Sequence, residues 1–307
     1  MPLTIPDSLW SDLMLRVPPD LDGHYTNSID ALGLRELALQ EESGAVGGAD
    51  AESASDHYAG RFGASSARAL AVLLDPLNSL GSVSSDILSS FACESLILVD
   101  IACGSGVASL SFLTAIAELR RARVLPSMPL TVVIHGCDFS DWALERFREL
   151  HAAVKPSLER VGIESVLELR KSDLRKVIES RGLMEAVEES ARASALKKTS
   201  VEAIGVIAAI SGTAGHPNKA QADAAFEPYR MSVEHIKVRL KRPSWAFVWI
   251  EPSMKAGTGL IATVKRMWAR ISGDRQPTTS TYNWWNSIKG RPARCHVIAI
   301  WERFSDE

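Results

Sequence analysis

The sequence predicts an α/β protein built on a mostly parallel sheet. From residue 95 onward, apolar runs of strand length alternate with stretches that carry apolar residues at helical spacing. The first of those runs, SLILVDI (95–101), passes through an acid into the turn ACGSG, where two glycines strip the backbone of bulk. The chain has 307 residues, 46% hydrophobic and 23% charged, enough for one large domain with appendages or two modest ones, each with a buried core.

The elements follow in order. IPDSLWSDLMLRV (5–17) and SIDALGLRELALQEE (28–42) have short helical patterns, and SGAVGGADAESASD (43–56) reads as a mobile linker of small and acidic residues. Residues 1–56 are therefore expected to form an acidic N-terminal helical segment and linker, and residues 57–307 the main domain. HYAGRFGASSARALAVLLDPL (57–77) is a helix leading into it. Residues 95–101 form a buried strand, and 107–124 a helix whose last turns are basic, which suits the helix dipole. LTVVIHGCD (130–138) is a second strand, followed by a helix with Ser140 as N-cap and Asp141 in its first turn. SVLELRKSD (165–173) is a third strand, before a polar helix-favouring stretch to about residue 198. AIGVIAAISG (203–212) and SWAFVWIEP (244–252) are the fourth and fifth. Between them lies an insertion, 213–243, with a helix near 222–241. A helix over 257–271 and a terminal strand over 294–304, paired with TSTYNWW (279–285), complete the pattern.

Bulk properties exclude several classes. No apolar run reaches the eighteen or so residues of a membrane span. The first residues lack the basic and apolar regions of a signal peptide and are too acidic for a transit peptide, so a cytoplasmic location is expected. Four cysteines (Cys93, Cys103, Cys137, Cys295) lie far apart without CxxC spacing and read as free thiols, with no metal site expected. Net charge is −3 but uneven: residues 1–60 hold eleven acids against Arg16 and Arg35, whereas 230–294 hold thirteen Lys and Arg against Glu234, Glu251 and Asp274. Either the basic region meets an anionic partner, or the two regions pack together and neutralise one another.

The chemistry lies in VDIACGSG (99–106). A strand, an acid, a Gly-rich turn and a helix bring the backbone close to whatever lies over the carboxyl edge of the sheet, where open α/β sheets bind ligands. Gly104 and Gly106 permit the required angles and approach, and Asp100 can accept a hydrogen bond from a cationic or amine-bearing ligand. A dinucleotide fingerprint fails, since G-x-G-x-x-G would need glycine where Ser109 stands, and Asp100 would repel a pyrophosphate. A purely structural turn is the remaining alternative.

One helix later comes IHGCDFSDWALERF (134–147). With that segment the chain resembles the class I S-adenosylmethionine-dependent methyltransferases, over about 95–304 and most specifically over 96–147. The resemblance implies a Rossmann-like fold: a mostly parallel seven-stranded sheet with an antiparallel C-terminal strand and helices on both faces. It implies S-adenosyl-L-methionine as cofactor, with Asp100, Ala102, Cys103, Gly104, Ser105 and Gly106 at the methionine end, Asp138 on the ribose hydroxyls and Phe139 along the adenine. Asp173, with the Leu174 backbone beside it, matches the acid that accepts from the adenine amine. Ala102 departs from the family, standing where its first glycine usually is.

The loop after the fourth strand (210–217) has neither the (D/N)PP(Y/F) of amine methylation nor a Pro-Cys nucleophile. Ser211 would line the cofactor pocket or cap the next segment. His216 is the candidate base there, or a surface histidine ahead of Pro217. Glu251 would orient the acceptor or cap the following helix. Tyr58 and Arg61 would cover the cofactor or simply pack. Trp284 and Trp285 with Lys289, Arg291 and Arg294 would meet nucleic acid or form core and edge. VWIEPSMKAGTGLIATVKRMW (248–268) is similar to the VEPG-x-x-x-G-x-x-L-I segment of the Rsm-twenty-two-like ribosomal methyltransferases, although that family's clustered cysteines are absent. Three outcomes stay open: methylation of a small molecule under a lid, methylation of RNA or a ribonucleoprotein, and a partner-binding module without catalysis.

Overall fold

The computed structural model describes residues 3–40, 50–197, 201–208, 219–241, 245–252 and 277–304. The chain opens with two short strands, β1 (Trp10–Ser11) and β2 (Met14–Leu15), then the helices α1 (Pro19–Ala31), α2 (Arg35–Leu39), α3 (Ala51–Leu74) and α4 (Val83–Ser90). Strands and helices then alternate: β3 (Ser95–Ile101), α5 (Val107–Arg121), β4 (Leu130–Asp138), α6 (Asp141–Glu159), β5 (Ile163–Lys171), α7 (Val177–Leu196), β6 (Val201–Ala208), α8 (Lys219–Leu240) and β7 (Trp245–Pro252). The strands β8 (Thr278–Asn286) and β9 (Arg291–Arg303) end the described chain.

These strands form one nine-stranded sheet in the order β1-β2-β8-β9-β7-β6-β3-β4-β5. The five strands from β5 to β7 pair in parallel, and β9 runs antiparallel to both β7 and β8. The α/β fold with an antiparallel C-terminal strand is thus the one expected, with nine strands in place of seven. Strand β3 is buried at every residue because β4 flanks it on one side and β6 on the other. Chain order reverses at that point, which opens a crevice at the carboxyl edge. One sheet face, bearing Leu96, Leu98, Ile134, Val206 and Val248, packs under α3, α5 and α6. The other, bearing Ile97, Val99, Ile101, Ile207 and Trp249, packs under α7 and α8.

The N-terminal region departs from expectation twice. Residues 5–17 are not helical. Asp12 and Leu13 both adopt left-handed angles (φ 53° and 57°), as a two-residue hairpin turn requires, so Trp10 pairs with Leu15 and β2 adds to β8. Burying Leu9 and Leu15 completely is what holds this hairpin down. Residues 51–56 are not linker either. Asp50 and Ser53 form a reciprocal capping box, and α3 runs unbroken across the expected boundary at residue 57 while burying one side along its whole length. Helix propensity of Ala, Glu and Ser behind a good cap outweighed the small-residue composition.

At its far end α3 stops at Asp75 in a left-handed conformation (φ 37°). The Asp75 carboxylate accepts from the amides of Ser79 (2.8 Å) and Leu80 (2.7 Å) and from the Tyr282 hydroxyl (2.6 Å), fastening the helix to β8. Tyr282 is almost fully buried, so Tyr282→Phe leaves that carboxylate one donor short. Urea unfolding of the variant should show a loss of about 1.5–3 kcal/mol, as for hydrogen bonds to charged groups; an unchanged midpoint would contradict this anchoring role.

Candidate functional site

Asp100 pairs in register with Gly136 on β4, so Asp138, two residues on, projects from the same face of the sheet. The two carboxyls thus flank one spot at the carboxyl edge, 1% and 8% exposed. Between them runs the loop 102–106, in which Ala102, Gly104 and Gly106 take left-handed angles (φ 54°, 52° and 73°). Asp138 holds this loop: one carboxylate oxygen accepts from the Gly104 amide and the other from the Ser140 amide, both at 2.9 Å. Each oxygen keeps a further lone pair. Cys103 adds a backbone bond, donating its amide to the Cys137 carbonyl at 2.9 Å. Asp100 differs from its expected role at the methionine end: it turns beneath the loop and accepts from the Ser109 hydroxyl at 2.6 Å. The short hydroxyl of Ser109, in the first turn of α5, captures the acid before it can reach solvent.

The glycines separate by what surrounds them. A Cβ on Gly106 would lie 2.1 Å from the ring of Phe147, a fully buried residue of α6, and one on Gly136 would lie 2.7 Å from Leu169 and 3.0 Å from Phe147. Those two positions are bare so that α6 can pack beneath the loop. Gly136 was not singled out by the sequence reading, although a glycine inside a strand is itself a sign of close approach. Gly104 is different, with no described atom within 4 Å of where its Cβ would be. Ala102 bears a Cβ in a conformation that favours glycine, which accounts for the family's glycine there. Ala102→Gly should stabilise the fold by up to about 1 kcal/mol, whereas Gly106→Ala should cost roughly 3 kcal/mol or more through Phe147; denaturant unfolding distinguishes them, and equal effects would overturn the packing account.

Burial pushes the Asp100 carboxyl up to about 7, with the nearby Asp138 charge adding to the effect. Burial raises Asp138 as well, against the backbone amides of Ser140 and Gly104 that favour its charged form. The thiols beside the loop are inert for the same reason: burial pushes Cys137 up to about 12 and Cys103 well above its ordinary value. All four cysteines are free. Between about pH 4 and 7 the folded chain retains a proton on Asp100 that the unfolded chain has released, so this group's stabilisation is full in acid and lost as pH rises towards 7. Unfolding free energies of wild type and Asp100→Asn should therefore diverge in favour of the variant from pH 4 to pH 8, by on the order of 2–4 kcal/mol; a constant difference would contradict the assignment.

At the nucleoside end Phe139 is half-buried and Ser140 caps α6, accepting from the Ala143 amide at 3.3 Å. Arg175, not anticipated from the sequence, lies 5.8 Å over the Phe139 ring and donates to both oxygens of Asp173 at 2.7 and 2.9 Å. The Arg175 hydrogen bonds hold the Asp173 carboxyl below its ordinary range. Asp173, expected to accept from an adenine amine, is thus already engaged by a guanidinium two residues along the chain. The Leu174 side chain is buried in the core beneath α7 and α8. Glu251 ends β7 on the opposite face of the sheet from Asp100, fully buried and accepting from the Trp249 indole at 2.7 Å. Ser105 sits half-buried at the loop's apex. Ser211 and His216 lie outside the described residues, as does the expected helix over 257–271. Tyr58 packs against Tyr25, Phe62 and Trp142, and Trp284 is buried core.

Sheet order and this loop define a Rossmann-like α/β protein with a candidate ligand site at the carboxyl edge. Solved structures with a similar fold include several methyltransferases. A SAM-dependent methyltransferase from Agrobacterium tumefaciens is 11% identical with a TM-score of 0.33, matching 72% of this chain and 61% of its own length. The precorrin-6y C5,15-methyltransferase of Geobacter metallireducens GS-15 is 11% identical with a TM-score of 0.33, over 73% of this chain and 88% of its own. An rRNA methylase from Streptococcus thermophilus is 16% identical with a TM-score of 0.29, over 72% and 97%. The chain therefore spans about three fifths of the Agrobacterium protein, and these likenesses are of fold alone. No family model and no curated protein matches the chain.

Proposed function

We propose that the chain is an S-adenosyl-L-methionine-dependent methyltransferase acting on a small-molecule acceptor. The observation that carries this is the pair of buried carboxyls, Asp100 and Asp138, on one face around a left-handed loop that is open at Gly104. Such a site disfavours an anionic pyrophosphate and suits a nucleoside with a cationic end. When bound, the cofactor supplies a methyl group already activated on a sulfonium.

The chain's own residues have separable tasks. Asp138 accepts from the ribose hydroxyls with the lone pairs its backbone partners leave, and Phe139 offers a ring to the adenine. Cys103, Ser105 and the bare Gly104 contribute backbone to the methionine end. Asp100 and Ala102 shape the loop from beneath. Arg175 must release Asp173 before that acid meets an adenine amine. Alignment of donor and acceptor does most of the catalytic work. His216 is the group proposed to accept a proton and Ser211 to line the pocket, whereas Glu251, buried on the opposite face and bonded to the Trp249 indole, is left a structural role.

A small acceptor is favoured over RNA by local charge pairing in the basic half. Arg230 pairs with Glu227 and Glu234, Lys237 with Glu302 at 2.6 Å, and Arg239 with Glu188. Among the described residues, Asp30 pairs with Arg35 and Asp20 with Arg121, not with the basic residues of 230–294. Among the described residues, no helix is long and apolar enough to cross a membrane. Calorimetry with S-adenosylhomocysteine should show binding that Asp138→Ala weakens by at least about tenfold, the loss of one or two charge-assisted hydrogen bonds. Equal affinity in the variant, or no binding by wild type, would remove the proposal. Labelled-donor transfer to a metabolite fraction and not to RNA identifies the acceptor class.

A further inference from the structure

Strand β5 is the last strand of the sheet and pairs with β4 alone. At its two ends the Gly162 carbonyl accepts from the Leu130 amide at 2.9 Å, and the Ser172 amide donates to the Asp138 carbonyl at 2.8 Å. Even-numbered positions therefore turn their backbone groups towards β4. By the alternation of a strand, the N–H and C=O groups of Ile163, Ser165, Leu167, Leu169 and Lys171 point outward along a free edge. We propose that a second copy of this chain pairs with that edge, antiparallel and in one register, so that the sheet runs on through a twofold dimer.

Soluble proteins ordinarily blunt such an edge with a proline, a bulge or a very short strand. Strand β5 uses none of these: it has nine residues, no proline, and a one-to-one match with β4 throughout. It carries charges instead, and their order decides which partner fits. Glu164, Val166, Glu168 and Arg170 project from the face opposite α6 and are all exposed, because α7 lies over β3, β4 and β6. Val166 is 49% exposed, a large apolar residue in the middle of a charged row. Among the described residues, neither Glu164 nor Arg170 has an ion-pair partner. Gly182 leaves room for the Arg170 guanidinium against α7, since a Cβ there would lie 3.2 Å from it.

Glu164 and Arg170 stand at equal distances either side of Leu167, so the row is complementary to itself when reversed. With the twofold axis at Leu167, Glu164 meets the partner's Arg170 and Arg170 meets the partner's Glu164. These are positions outside the ladder bonds, where facing Cβ atoms come within about 4.5–5.5 Å. Val166 then lies diagonal to its own copy, and Leu167, half-buried in the single chain, faces its own copy on the side of α6. The outward groups of Ile163 to Lys171 bond in facing pairs along the full strand. Sliding the partner by two residues one way sets Glu164 against Glu168; the other way sets Glu168 against itself. Like charges directly opposite are destabilising, so one full-length register remains. A patch that complements itself about an axis is the condition for a closed dimer, and that makes a second copy the occupant. The assignment does not depend on methyl transfer.

Sedimentation equilibrium of the full chain tests the pairing. Wild type should form a dimer with a dissociation constant at or below about 100 μM. Glu164→Arg and Arg170→Glu each put like charges opposite one another twice, and each should weaken the dimer at least about tenfold. An equimolar mixture of the two variants restores both opposite-charge pairs and should associate as tightly as wild type. Only this register makes that rescue. Glu164 touches no described partner, so its variant reads the interface even if Arg170→Glu, altered beside α7, were to lose its fold. A wild type that stays monomeric at about 100 μM, a Glu164→Arg variant that associates undiminished, or a mixture of folded variants that stays monomeric would each overturn the proposal.

Discussion

The bond between the Asp138 carboxylate and the Gly104 amide governs the carboxyl edge of the sheet. It runs from the end of one central strand to the loop that leaves the next, so it fixes the loop against the sheet. The second oxygen takes the Ser140 amide at the start of α6. A single buried carboxylate therefore sets the loop's curvature and the entry of α6. The Phe147 ring, carried on α6, then fills the room left by Gly106 and Gly136. Backbone amides repay the burial of that charge, which is why an acid is tolerated at 8% exposure.

Asp100 adds the second constraint. Placed on the same face and bonded to Ser109, it shares a poorly solvated space with Asp138, and two such acids disfavour each other's charge. A cation brought to the loop's open side relieves both; a phosphate aggravates both. On the proposed reading, this asymmetry of sign would separate a sulfonium nucleoside from a dinucleotide more sharply than the glycine spacing does. Buried thiols on either side of the loop add no competing nucleophile.

Much of this was legible in the sequence because the relevant signals are local. Alternation after residue 95 gave the described strands and helices to within a few residues, and the Ser140 cap and the acids ending β3 and β4 are named by local pattern alone. Signals that depend on tertiary contact could not be. Nothing in SLWSDLMLR marks Asp12 and Leu13 as a left-handed turn until β8 offers its edge. The small residues of 50–56 look like linker until the Asp50 box and the packing of α3 are known. Arg175 taking Asp173, and Ser109 taking Asp100, are side-chain choices between neighbours that composition and spacing leave undecided. Charge asymmetry is a similar case: among the described residues, Arg230, Lys237 and Arg239 pair with Glu227, Glu234, Glu302 and Glu188, and Asp20 and Asp30 pair with Arg121 and Arg35.

Side-by-side calorimetric titration of S-adenosylhomocysteine and of NAD into the intact chain tests the charge argument most directly. The account predicts saturable heat with the uncharged-linkage nucleoside and none with the pyrophosphate. Binding of NAD with indifference to S-adenosylhomocysteine would contradict it.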